Sequence, residues 1–158
     1  MSKAFTRESD DLPDRPTRSP LPSLLPPGVK NYLTPDGARR LREELDRLIE
    51  IERSRRLPSL DQRIHYLGQC LDSAEVVPPP PKPWEQVRFG ATVTVRDGGG
   101  GGSSYRIVGI DETDIEQNRV SWLSPIARTL LNARLGQRVR FKFPSGEEQL
   151  EIVRISYE

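Results

Sequence analysis

Five of six consecutive positions are proline in Pro78-Pro79-Pro80-Pro81-Lys82-Pro83, and no other stretch restricts the fold of this chain as strongly. Each proline fixes φ and lacks an N–H, so the run can enter neither a helix interior nor a central strand. It favours polyproline II and acts as a semi-rigid spacer. Such a composition also suits a ligand for SH3-type domains, but structured segments on both sides fit a spacer better. The hydrophobic period changes across the run, which predicts a domain boundary there.

Upstream, Thr34 to Val77 has the helical period. Thr34-Pro35-Asp36 predicts a helix start: a hydroxyl for the N-cap, proline at the first helical position, and an acid at the positive end of the helix. Ala38, Leu41, Leu45 and Leu48 form one apolar stripe. A second helix is expected from Ser59, with Gln62 three residues on completing a capping box, and its stripe is Leu60, Ile64, Leu67, Leu71 and Ala74. Pro58 breaks the two apart. Two stripes and one tight connection predict an antiparallel hairpin, with a first arm of about 30 Å and a second of about 20–25 Å. Eight acids and eight arginines between Asp36 and Ser73 fit a solvated outer face. The first 33 residues hold six prolines and few apolar residues, too little to offset ordering entropy, so residues 1–30 are expected to form a disordered arm. Phe5 and the Leu21 to Leu25 patch are its only candidate docking features.

Downstream the period becomes two. Val87, Phe89, Ala91, Val93 and Val95 alternate with polar residues, and five glycines after Asp97 lead to a second strand from Ser103 to Ile110. A hairpin with a floppy loop is expected. The glycine run precedes a strand rather than a helix, so it is no phosphate cradle. Asp111 to Glu116 lacks the ligand spacing of a calcium loop and reads as a solvated turn. Arg119 to Leu123 predicts a third strand containing Trp122. Ser124-Pro125 opens a short helix from Ile126 to Ala133, Gly136 terminates or follows it, and strands Gln137 to Phe143 and Gln149 to Tyr157 complete a small β-rich domain.

No catalytic constellation emerges. His65, the sole histidine, lies on the second helix without a ligand partner, and Cys70 reads as a small residue near the hairpin seam. A histidine-free C-terminal half excludes a Ser-His-Asp triad there. A net charge of +1 argues against a protein that coats polyanions and leaves only a local basic patch as a route to nucleic acid. One cysteine rules out an intramolecular disulfide and fits a reducing cytoplasm. No apolar run approaches a membrane span and the N-terminus lacks a signal-peptide pattern, so a soluble cytoplasmic protein is expected.

Several segments, in order, resemble the bacterial transcript cleavage factors GreA and GreB, GreB more closely. They are Lys3-Ala4-Phe5-Thr6-Arg7-Glu8; Asn31-Tyr32-Leu33-Thr34-Pro35-Asp36-Gly37 with Leu41 and Glu44-Leu45; Asp61-Gln62-Arg63-Ile64-His65-Tyr66-Leu67; Phe89-Gly90-Ala91-Thr92-Val93; and Tyr105-Arg106-Ile107-Val108-Gly109. The most specific is Ser121-Trp122-Leu123-Ser124-Pro125-Ile126-Ala127-Arg128, followed by Leu130-Leu131 and Gly136. The resemblance implies an α+β chain with an arm at 1–30, an antiparallel coiled-coil hairpin at 31–77, a linker at 78–84 and an FKBP-like domain at 85–158. It also implies a monomer that binds RNA polymerase at the rim of the secondary channel, meeting nucleic acid only within the transcription complex, with no cofactor and no membrane partner. Docking would fall to Ser124 and Pro125, although Leu123 stands where some relatives carry an acid.

In the family, an acidic Gly-Asp-x-Ser-Glu-Asn-type coil tip helps hold the second Mg²⁺ with which polymerase cleaves backtracked RNA. Here the corresponding turn is Arg55-Arg56-Leu57-Pro58-Ser59-Leu60, basic and apolar, with Glu52 and Asp61 the nearest acids. A regulator that docks without stimulating cleavage is therefore expected. The alternative is an FKBP-like prolyl isomerase, with Tyr105, Trp122 and Phe141 lining an apolar pocket, or a general protein-interaction module.

Overall fold

The computed structural model describes residues 25–157. Phe5, most of the Leu21 to Leu25 patch and most of the expected N-terminal arm lie outside these residues. The described chain is of mixed α+β class, two helices preceding a five-stranded sheet that carries a third short helix. Among the described residues, no helix is long and apolar enough to cross a membrane.

Helix α1 (Pro35–Arg55) starts where its cap chemistry dictates: the Thr34 side chain accepts the Gly37 N–H at 3.0 Å, Pro35 follows, and Asp36 sits in the first turn. It ends at Arg56, whose left-handed φ of 47° ends the helical run while its N–H still reaches Glu52 O at 2.7 Å. The second helix departs from the expected start. Pro58–Leu60 forms a 3-10 turn, and helix α2 (Asp61–Ser73) begins at Asp61 with Leu60 at its N-cap and no side-chain cap, so Ser59 and Gln62 make no capping box. Proline in the first turn and the Leu60 N–H to Leu57 O bond of 3.1 Å tighten the chain into the 3-10 form before the α-helix can open.

The chain then turns back along α1. Leu33, Leu41 and Leu67 are buried together, with Ala38, Leu45, Leu48, Leu71 and Ala74 packed around them. Arg63 and Glu44 pair through two hydrogen bonds of 2.9 and 3.2 Å. Helix α2 stops at Ser73 rather than running toward Val77. The cause is Asn31, whose side-chain amide donates to Cys70 O at 3.0 Å and to Ser73 Oγ at 3.2 Å, giving a terminal carbonyl of α2 an external partner. Ala74 is extended, and strand β2 (Ala74–Val76) pairs in parallel with strand β1 (Asn31–Leu33). Neither short strand was expected.

The sheet comprises β3 (Thr92–Arg96), β4 (Gly102–Val108), β5 (Arg119–Ser121), β6 (Arg138–Phe143) and β7 (Gly146–Ser156), in the order β5-β4-β3-β7-β6. All neighbours are antiparallel except β4 and β5. The first strand starts at Thr92, not Val87, because Gly90 turns the chain with φ +87°; Val87 instead exchanges backbone hydrogen bonds with Ala133 and Asn132, both at 2.8 Å. The glycine loop is not floppy in form: the Asp97 carboxylate accepts the N–H groups of Gly99 and Gly101 at 2.9 and 2.8 Å, closing the turn from within. Strand β5 stops before Trp122. Helix α3 (Pro125–Leu130) ends before Ala133, and Asn132 follows with φ 68°. Ala127 and Leu130 of α3 join Val93, Val95, Ile107 and Ile152 in the main core, so α3 covers one face of the sheet.

Candidate functional site

The Ser121–Ala127 loop is built largely by its own hydroxyls. Ser121 Oγ accepts the Leu123 N–H at 3.1 Å, Ser124 N–H reaches Ser121 O at 2.9 Å, and Ser124 Oγ caps α3 by accepting the Ala127 N–H at 3.3 Å. Pro125 is exposed and Ser124 half-buried, so the loop presents a proline ring and the first turn of α3 to solvent. Trp122 fixes its position from beneath. Its backbone N–H binds Val108 O at 2.9 Å, and its ring meets Tyr32 edge-on with centroids 5.0 Å apart. Tyr32 also touches Phe89, at 5.7 Å. The loop is thereby seated on the strand that leads into α1.

The tip turn lies elsewhere. Arg55, Arg56, Leu57, Pro58 and Ser59 are exposed and Leu60 is half-buried, at the far end of a 21-residue helix, about 30 Å from its first turn. The fold therefore does not bring the tip and the Ser124-Pro125 loop together; it holds them at opposite ends of the helical pair. Glu52 and Asp61 flank the turn without entering it.

Between these ends lies a junction that the sequence did not reveal. Glu112, in the 3-10 turn Ile110–Glu112, is 6% exposed, not part of a solvated turn as expected. Its carboxylate accepts the Thr34 hydroxyl, the Thr34 N–H at 3.0 Å and the Gly109 N–H at 2.9 Å. Two glycines make room for it. A Cβ on Gly37 would lie 1.8 Å from Glu112 Oε1, and one on Gly109 would lie 2.1 Å from Tyr32 O. The only signal in the sequence was a pair of glycines outside obvious turns, and nothing linked them to Glu112.

Next to it, Asp111 accepts from the Tyr66 hydroxyl and from Cys70 Sγ, the latter at 3.4 Å. Burial, reinforced by the neighbouring Asp111 charge, pushes the Cys70 thiol up to about 11 and raises the Tyr66 phenol well above its ordinary range. A thiol held protonated is a poor nucleophile. His65 is exposed, and no cluster among the described residues has the make-up of a metal site. A cleft of about 430 Å³ between α1 and the Asp111–Arg119 segment is lined by Arg40, Arg47, Arg63 and Arg119, but five carboxylates share its walls. Tyr105, Trp122 and Phe141 pack against the main core, as aromatic core residues do.

The family model "Transcription elongation factor, GreA/GreB, C-term" matches residues 81–157. A transcription elongation factor GreB of Neisseria meningitidis is 38% identical over 155 residues, spanning 82% of this chain and 95% of the relative. GreB of Pseudomonas aeruginosa is 33% identical over 150 residues, spanning 79% of this chain and 89% of the relative. Among solved structures, a GreA/GreB elongation factor from Nitrosomonas europaea is 25% identical and covers 81% of this chain and all of its own, with a TM-score of 0.45. The 155-residue span draws on only 82% of a 158-residue chain, so the Neisseria relative holds residues within the span that have no counterpart here.

Proposed function

The chain belongs to the GreA/GreB family of transcription elongation factors, and from that premise we propose that it is an RNA polymerase-binding regulator that occupies the secondary channel without stimulating transcript cleavage. In this reading residues 85–158 form the family's FKBP-like docking domain, residues 31–77 a shortened coiled coil, and residues 78–84 the linker between them. Ser124 and Pro125 make the docking contact at the channel rim. The factor is a monomer and no enzyme itself, since cleavage chemistry in this family resides in the polymerase.

One observation carries the loss of cleavage: the turn Arg55-Arg56-Leu57-Pro58-Ser59-Leu60 contains no carboxylate and closes helices of only 21 and 13 residues. Stabilising a second Mg²⁺ requires carboxylate oxygens at coordination distance, directly or through one water. Arginines there repel a cation. The residues at this tip do not fit a metal-holding role.

Two measurements test the proposal. A pulldown on purified core RNA polymerase should retain the protein, and absence of all binding at low salt would sink the docking half. In stalled, backtracked complexes the protein should leave transcripts uncut and slow cleavage by an intact GreB. Robust cleavage on its own addition would mean that Glu52 or Asp61 reaches the metal.

A further inference from the structure

Helix α3 covers one face of the sheet; on the other, the first turn of α1 approaches Arg106 of β4, while the charged side chains of β3, β7 and β6 face solvent. Register identifies the side chains of this second face. The Thr94 and Ser104 hydroxyls bond across β3 and β4 at 2.9 Å, and Arg154 of β7 is opposite Thr94. The same face carries Arg96 with Glu151 opposite, Glu151 with Arg138, Gln149 with Arg140, and Glu147 with Lys142. Over β3, β7 and β6 this places Arg96, Arg138, Arg140, Lys142 and Arg154, all exposed, against the two carboxylates Glu147 and Glu151. At the far side of the sheet Arg106 faces Asp36, and Arg119 meets Asp114 through a backbone β-bridge, so both lie outside this row.

In a chain of net charge +1, five cations against two acids on one sheet face is a marked concentration of charge. Lys and Arg on an edge strand also deter strand pairing between molecules, which would account for β6 alone. It does not account for Arg154 and Arg96, which lie on the interior strands β7 and β3.

We propose that this open β3–β7–β6 face binds the phosphate backbone of duplex nucleic acid without reading its sequence. Alternate residues on a strand are about 7 Å apart, so Arg138, Arg140 and Lys142 form a row that can meet successive phosphates. The face offers no aromatic ring on which unpaired bases could stack, which disfavours a single strand. No helix or ribbon projects from it to enter a groove, which removes base readout. Electrostatic attraction to the duplex backbone is what is left, and its signature is steep salt dependence. Such binding follows from the charge geometry and holds whether or not the chain docks on polymerase.

The test is fluorescence anisotropy with a labelled mixed-sequence DNA duplex of about 30 base pairs, titrated from about 50 to 200 mM salt. The intact chain should bind in the micromolar range at low salt. The triple variant R140Q/K142Q/R154Q should weaken binding at least tenfold and flatten the log–log salt slope by roughly 0.9 for each phosphate left without its cation. R140K/R154K should retain binding, because charge is preserved, and unchanged melting curves exclude misfolding. Four outcomes overturn the proposal: no duplex binding, undiminished binding by the triple variant, equal weakening in a tip variant R53Q/R55Q/R56Q, or preference for a single strand of the same sequence.

Discussion

Thr34 and Glu112 are joined twice: one oxygen of the buried Glu112 carboxylate accepts the Thr34 hydroxyl proton and the other accepts the Thr34 N–H at 3.0 Å. Because Thr34 Oγ1 also accepts the Gly37 N–H, its own proton is directed to Glu112, and the helix cap becomes one link of a longer relay. The first turn of α1 is thus tied to the loop following β4, 78 residues away.

Removing the carboxylate should be costly. Glu112→Ala leaves three buried donors, those of Thr34 and Gly109, without a partner, and should destabilise the protein by about 3 kcal/mol. Glu112→Gln keeps one acceptor oxygen but turns an amide toward a donor, and should fall between. Urea unfolding of the three proteins measures the order, and an alanine variant as stable as the parent would refute the junction.

Gly37 gives a sharper test because helix propensity points the other way. In an exposed helix, Gly→Ala is stabilising by about 1 kcal/mol. Here the new Cβ would displace the Glu112 carboxylate, so Gly37→Ala should lower stability by roughly 1–3 kcal/mol. Gly109→Ala should be worse, since the obstructing atom is the Tyr32 backbone oxygen. Thermal melting settles both signs.

Cys70 should be slow toward thiol reagents at neutral pH, its reaction rate climbing only toward a midpoint near 11. Asp111→Asn removes the second cause of the shift and should bring that midpoint down. The folded thiol titrates above the ordinary value of 9.0, so the stability linked to it is present below about pH 9 and is lost as pH rises to about 11. Alkylation rates and melting temperatures across that window check the sign.

Ser124→Ala deletes the cap on α3 and should cost about 1 kcal/mol. If the loop also docks on polymerase, Pro125→Ala should weaken retention on the enzyme while changing the melting temperature less than Ser124→Ala does. Equal polymerase binding by both variants and the parent would remove this loop from the docking surface.

Much of the fold was legible where its cause is local. Thr34-Pro35 and Ser124-Pro125 start helices because an N-cap oxygen and a following proline act within one turn, and both caps form as the residues indicate. The apolar stripes around Leu41 and Leu67 follow from helical period, and β3, β4, β6 and β7 from period two. Ser59 misled because its capping pattern is equally local, yet Pro58 and the Leu57 carbonyl drew the chain into a 3-10 turn first. The basic sheet face was illegible because register decides which of the many arginines share a side.

The sequence by itself determined the family, the change of period at the proline run, and a tip without carboxylates. Tertiary structure alone decided that Asn31 ends α2, that Glu112 is buried under Thr34, and that five cations of β3, β7 and β6 face one way. The division has a physical basis. Caps, periods and composition act over a few residues and leave a mark in order, whereas buried hydrogen bonds and surface charge depend on which distant segments meet, and that is settled only when the cores close.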